Sequence, residues 1–240
     1  MVYCLLEFLK KRVCEICFKL FRDNIVDSRV IGLGTGSTIK YFIDLLFSSK
    51  LHVGREIVVS SIDTQQYILM KHGVLTKTVL DLNDNVDIYI DGFDEASTNL
   101  DLIKGRGGAF YWEKLLASRS SLRIYIGDYT KWNGREYLYM KPIPIEVEKE
   151  YLYRVLDTLI SRNIKAKIRM NKSREGPVVT DSGNYIIDVY SYKVVKPVET
   201  DNWFKNIKGV VETGIFPNQL VDYVLIAGPG ENLFKLYARR

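Results

Sequence analysis

Short runs of β-branched and aromatic residues alternate with longer stretches whose apolar residues recur three or four apart, and the alternation is regular through the first half. Arg29–Leu33, Glu56–Ser61, Leu75–Val79, Val86–Ile90 and Ser121–Gly127 predict strands. Thr38–Phe47, Gln65–His72 and Ala109–Ser118 predict helices between them. This order predicts an α/β fold: a Rossmann-like parallel sheet with helices on both faces and ligands at the carboxyl ends of its strands.

The texture changes near Lys141, where Pro142-Ile-Pro144 excludes a helix. A strand, a helix over Glu150–Arg162 and a strand over Lys165–Arg169 follow. Pro177–Thr180 and Tyr185–Tyr190 flank the turn residues Asp181-Ser-Gly-Asn184 and predict a hairpin. A helix over Val198–Ile207 completes a small α+β unit, and Val221–Ala227 returns as a buried-looking strand of the first type. The expected organisation is a Rossmann-like domain over 1–138 and 208–240, with a smaller inserted α+β, ferredoxin-like domain over 139–207.

Composition narrows the class of function. With 240 residues, 47% hydrophobic and 26% charged, the chain can bury a sizeable core. The stretch Met1–Phe21 is interrupted by Glu7, Lys10, Lys11, Arg12 and Glu15, which predicts an amphipathic helix of a cytoplasmic protein rather than a membrane segment. Cys4, Cys14 and Cys17 cannot form a disulfide framework; at helical spacing among Val13, Ile16 and Leu20 they read as core thiols. The net charge of +5 comes from scattered Lys and Arg with no basic block, so nucleic acid is not an expected partner, whereas a small anion is. His52 and His72 lie outside every motif, and a histidine-based triad has nowhere to assemble.

Three segments carry chemistry. Gly32-Leu-Gly34-Thr35-Gly36-Ser37-Thr38 follows the first strand and opens a helix, so its N–H groups and hydroxyls suit a phosphate. It lacks the Gly-Lys-Ser/Thr of a Walker A loop, and Ser37 replaces the third glycine of a dinucleotide fingerprint; the plainer alternative is a capped strand-to-helix turn. Asp91-Gly-Phe-Asp94-Glu95 places carboxylates just past a strand, where they serve as acids and bases, cap a turn or hold Mg²⁺. Lys104-Gly-Arg-Gly-Gly108 leads into a helix with Glu113 one turn inside, although Glu113-Lys114 taken alone also fits a solvated helix face.

At these residues the chain resembles ribose-5-phosphate isomerase of the A type. The resemblance rests on Gly34-Thr-Gly-Ser-Thr38, Asp81-Leu-Asn83, Tyr89-Ile-Asp-Gly-Phe-Asp-Glu95, Lys104-Gly-Arg-Gly-Gly-Ala109 with Glu113-Lys114, Pro142-Ile-Pro-Ile-Glu-Val147, Val178-Val-Thr-Asp-Ser-Gly-Asn184 and Gly209-Val-Val-Glu-Thr-Gly-Ile-Phe216, in that order. It implies exchange of ribose 5-phosphate and ribulose 5-phosphate through an enediolate, as in the non-oxidative pentose phosphate pathway, without cofactor or metal and in a homodimer or homotetramer.

Carried onto this chain, the resemblance makes Thr35, Gly36, Ser37 and Thr38 the sugar-phosphate site, beside Asp91, Gly92, Phe93 and Asp94. Lys104, Gly105, Arg106, Gly107 and Lys131 also contact substrate, and Glu113 takes the base role. On chemical grounds Lys104 is then the expected oxyanion partner, and Asp91 or Asp94 the expected acid–base group for ring opening. Two departures stand out: Arg106 replaces a glycine of the family's run, and Ser60-Ser-Ile-Asp-Thr-Gln-Gln66 is looser than its serine-rich stretch. A sugar-phosphate-sensing regulator would need a DNA-reading module where this chain offers one helix. A coenzyme A transferase would want its glutamate in another glycine context.

Overall fold

The computed structural model describes residues 2–173, 175–230 and 234–239. From the N-terminus the chain runs through α1 (Val2–Leu20), α2 (Arg22–Asp27), β1 (Val30–Leu33), α3 (Ser37–Ser48), β2 (Glu56–Val59), α4 (Ile62–His72) and β3 (Lys77–Thr78). Next come β4 (Val86–Gly92), β5 (Glu95–Ala96), β6 (Leu102–Ile103), α5 (Phe110–Ser118), β7 (Ser120–Asp128), β8 (Ile143–Val147) and α6 (Leu152–Ser161). The chain ends with β9 (Ala166–Ile168), β10 (Tyr185–Val189), α7 (Pro197–Lys205), β11 (Val210–Thr213), β12 (Ile215–Phe216), β13 (Tyr223–Ala227) and β14 (Phe234–Ala238). It divides into two compact units, the first comprising the chain up to Phe93, Trp112–Trp132 and the stretch from Gln219, the second Asp94–Tyr111 and Asn133–Asn218.

The first unit is the expected α/β part. Its sheet has the order β14-β13-β7-β4-β1-β2-β3, parallel except for the β13–β14 pair. Alternation along the strands sends Ile31, Leu33, Ile57, Val59, Ile88, Ile90, Ile124 and Ile126 to one face, where they pack with Leu9, Val13, Cys14 and Cys17 of α1 and Ile39, Phe42, Ile43 and Leu46 of α3. Gly32 turns to the other face, where an added Cβ would lie 3.1 Å from Tyr89 and 3.4 Å from Leu116 of α5. The apolar stripe of the N-terminal helix is thus spent on the core. Burial pushes the Cys14 and Cys17 thiols up, as expected of inert core thiols.

The chain leaves β1 toward β2 and β3 on one side and later adds β4 on the other, so the carboxyl ends of β1 and β4 meet at a topological switch point. The loop after Leu33 and the acid after Ile90 occupy that point.

The second unit contains an antiparallel sheet of order β11-β8-β10-β9, in the chain order strand, helix, strand, strand, helix, strand of a ferredoxin-like unit. Ile143, Ile145, Val147, Ile187 and Val189 pack against Leu152, Val155 and Leu159 of α6 and Phe204 of α7. Its extent differs from the expected insert at 139–207. Val210 and Thr213, expected in the α/β part, pair with Val147 and Ile145, and β5, β6 and β12 form a further three-stranded sheet that no sequence signal announced. These strands are two to four residues long, too short for periodicity to register. The first arm of the expected hairpin makes only isolated bridges, Val179 with Tyr185 and Pro177 with Met170. Pro177 lacks an N–H, and Thr180 and Asn184 turn their side chains to Glu146 instead.

Candidate active site

In the first unit the chain leaves β1 through Gly34-Thr35-Gly36 into α3. Glycine is required at 34, because a Cβ would lie 1.8 Å from Oδ1 of Asp91. It also suits position 36, whose φ of 103° lies in the left-handed region. The Gly34 N–H donates to the Ile90 carbonyl (2.9 Å) and the Thr35 N–H to Asp91 Oδ1 (3.2 Å). From the β2 side, Ser61 Oγ donates to Thr35 Oγ1 (2.9 Å) and Thr64 Oγ1 to the Gly34 carbonyl (2.9 Å). The turn is therefore fastened on both flanks, while Gly36 and Ser37 stay exposed and Thr38 is buried. The exposed Gly36 makes no side-chain cap hydrogen bond at the start of this 12-residue helix, an arrangement suited to an anion.

Asp91, at the end of β4, is fully buried and accepts hydrogen bonds from the Gly92 N–H (2.6 Å), the Thr35 N–H and the Tyr89 hydroxyl. Glu113, in the first turn of α5, is only 3% exposed, and Lys114 is buried as well, so the solvated-face reading of this pair does not hold. Burial, reinforced by the charges of Asp91 and Glu113, pushes the Tyr89 hydroxyl well above the usual phenol range and does the same to Tyr125. The two rings meet edge-on with centroids 6.1 Å apart. Both acids thus bear on one pair of buried phenols that remain protonated. Lys131 follows Asp128, whose carboxylate caps the turn through the Thr130 N–H (3.0 Å), and its Nζ lies 5.6 Å from the Phe93 ring centroid.

In the second unit the turn after β6 carries Lys104. Its N–H donates to the Gly214 carbonyl (2.9 Å), and its Nζ lies 5.5 Å from the Phe216 ring centroid, with the residue 3% exposed. Gly105 has φ 101° and a Cβ there would lie 2.5 Å from the Phe110 ring, so no other residue fits. The Gly108 N–H closes the turn on the Gly105 carbonyl (3.1 Å), leaving Arg106 and Gly107 exposed at its tip. Asp94 Oδ2 accepts the Arg106 N–H (3.0 Å).

The first unit thus brings together the 34–38 turn with Asp91, Asp91 with Glu113 about the tyrosine pair, and Phe93 with Lys131. The second brings together Asp94 with the 104–108 turn. Glu95 is spent elsewhere, because its carboxylate accepts from Asn133 Nδ2 (2.6 Å) and from the backbone N–H groups of Tyr139, Met140 and Lys141 (2.8 Å each). No group of His, Cys, Asp and Glu suited to a metal ion occurs among the described residues, and no described helix is long and apolar enough to cross a membrane. His52 and His72 stack on Phe47, and His72 Nε2 lies 3.0 Å from Asp44 Oδ1. Sequence reasoning overlooked Tyr89, Ser61 and Thr64 as supports. The signals were present: Tyr89 stands two residues before Asp91 on a strand, and Ser61-x-x-Thr64 is a helix-capping pattern.

The family described as ribose 5-phosphate isomerase A (phosphoriboisomerase A) matches residues 56–231. The chain belongs to the ribose 5-phosphate isomerase A family. It is 37% identical to ribose-5-phosphate isomerase A of Pyrococcus abyssi over 224 residues, covering 92% of this chain and 94% of that protein. Identity to the Methanothermobacter thermautotrophicus protein of the same name is 37% over 211 residues, covering 88% and 91%. Among solved structures, a D-ribose-5-phosphate isomerase in complex with phospho-erythronic acid superposes with a TM-score of 0.87 at 32% identity, covering 98% of this chain and 99% of that one. Ribose 5-phosphate isomerase A of Methanocaldococcus jannaschii gives a TM-score of 0.83 at 33% identity, covering 97% and 99%. The chain is accordingly an aldose–ketose isomerase by family, and the Rossmann-like fold with a smaller antiparallel sheet is the family's fold.

Proposed function

We propose that this protein interconverts D-ribose 5-phosphate and D-ribulose 5-phosphate through an enediolate, with Glu113 as the proton-shuttling base. The observation that carries the reading is a carboxylate only 3% exposed, in the first turn of a helix and sharing its phenol neighbours with Asp91, in a member of an isomerase family. In the open-chain aldose Glu113 takes the C2 proton, the electron pair forms the C1–C2 double bond, and the aldehyde oxygen becomes an oxyanion. Return of the proton to C1, with transfer of the O2 proton to the O1 oxyanion, leaves the ketose. Lys104 and neighbouring N–H groups stabilise the oxyanion. Asp91 or Asp94 exchanges the hydroxyl and ring-oxygen protons when the furanose opens.

Thr35, Gly36, Ser37 and Thr38 hold the phosphate at the start of α3, and Gly92, Phe93, Gly105, Arg106, Gly107 and Lys131 complete the substrate contacts. Phosphate binding supplies remote energy that orients the carbon chain. No cofactor or metal takes part, and the protein works as a homodimer or homotetramer in the cytoplasm.

The test is an isomerase assay with ribose 5-phosphate followed by the same reaction in D₂O. Formation of ribulose 5-phosphate with deuterium at C1 is expected. Absence of turnover would end the substrate assignment, and turnover without label would point to a hydride shift or a fully shielded shuttle.

A further inference from the structure

We propose that Arg169 is a positioning residue for the 104–108 turn, setting the peptide planes that aim its N–H groups, and that Asp188 holds Arg169 in place. The inference rests on the reading that this turn belongs to the catalytic machinery. Arg169 follows β9, and Asp188 lies on β10. The guanidinium Nε donates to Asp188 Oδ2 (2.8 Å) and Nη2 donates to Oδ1, a two-point pairing that fixes the plane of the fork. The remaining nitrogen, Nη1, donates to two successive backbone carbonyls, Gly105 (2.8 Å) and Arg106 (3.1 Å).

In a trans peptide the C=O and the N–H of the next residue point in opposite directions. Holding the Gly105 carbonyl toward Arg169 therefore turns the Arg106 N–H away from it, and that N–H is the one that reaches Asp94 Oδ2 at 3.0 Å. Holding the Arg106 carbonyl in the same way turns the Gly107 N–H away from the guanidinium. The Gly108 N–H holds the Gly105 carbonyl at one end of the turn, and Arg106 and Gly107 lie exposed at its tip. Arg169 adds a second hold on the Gly105 carbonyl and reaches the Arg106 carbonyl at the tip. A lysine cannot replace it, because one ammonium cannot grip a carboxylate in two places and still span two carbonyls.

The experiment compares Arg169→Ala, Arg169→Lys and Asp188→Asn with the wild type in steady-state isomerisation, thermal melting and amide hydrogen exchange. In both Arg169 variants kcat is expected to fall by roughly 10²-fold, the scale of losing one positioning contact, with KM within about threefold of wild type. Asp188→Asn should show a smaller loss of the same kind. Ethylguanidinium added to Arg169→Ala should restore part of kcat, whereas ethylammonium should not. The Arg106 amide, bonded to Asp94, should exchange at least tenfold faster while β8 and β10 keep their protection. Wild-type kcat in Arg169→Lys, or unchanged exchange at Arg106, would overturn the proposal. Exchange needs no turnover, so an inactive wild type would defeat the isomerase reading while this amide still decides the role of Arg169.

Discussion

Glu113 and Glu146 show how burial gives two carboxylates different parts. Glu113→Gln keeps size and removes the proposed base, so kcat should fall by ~10² or more while the dissociation constant for substrate barely moves, measured by turnover assays and calorimetric titration. Retention of most activity would remove Glu113 from its role. Glu146 is fully buried on β8. Its Oε1 accepts from Thr180 Oγ1 and Asn184 Nδ2 (2.9 Å each), while Oε2 has no hydrogen-bond partner among the described residues. Burial pushes its pKa above the ordinary carboxyl value of 4.5, against those two hydrogen bonds. A raised folded-state value means that the native protein binds this proton more tightly than the unfolded chain does. The stability Glu146 contributes is therefore complete below pH 4.5 and is lost as pH rises through the folded value. Relative to Glu146→Gln, the wild type should lose stability as pH rises above 4.5 in urea titrations; a difference independent of pH would contradict this.

Turns and strand ends carry the site, and two of them depend on single atoms. Gly34→Ala would place a methyl group 1.8 Å from the Asp91 carboxylate, so β1 and β4 must separate at the switch point. A cost of about 1–3 kcal/mol in unfolding free energy, with a larger loss of activity, is expected from such overpacking. Glu95→Gln substitutes an NH₂ for one oxygen of a carboxylate that collects four donors, three of them the successive N–H groups of 139–141. Leaving a buried donor opposed should cost about 1–3 kcal/mol, read as a lower urea midpoint with the slope unchanged. The glycine positions were legible because a strand followed by Gly-x-Gly before a helix has few other uses. Glu95 was not, since nothing local distinguishes an acid that binds a ligand from one that binds a turn 44 residues away.

The first unit is closed by a segment far from its beginning in sequence. β13 has buried residues over Val224–Ala227 and pairs in parallel with β7, and Asp222 accepts from Arg123 Nε (2.7 Å) and from its backbone N–H (2.9 Å). A chain ending before Val221 should fail to give soluble protein with a cooperative melt, because β7 would expose an unpaired edge and an apolar face. Cooperative unfolding of that truncation by circular dichroism would show β13 to be dispensable. The strand character of Val221–Ala227 is plain in the sequence; its neighbour in the sheet is not.

Periodicity and turn chemistry act between residues close in the chain. They were sufficient for the parallel-sheet rhythm, the glycine turn before α3, the amphipathic N-terminal helix and, with the motif order, the isomerase family. Contacts that join distant segments were decided by folding alone: β11 on β8, Glu95 on 139–141, and Arg169 on the Gly105 carbonyl across 64 residues. A side chain's reach is a few ångströms in space and unlimited in sequence, so local composition names the chemistry available, and only the packed chain determines which groups meet to use it.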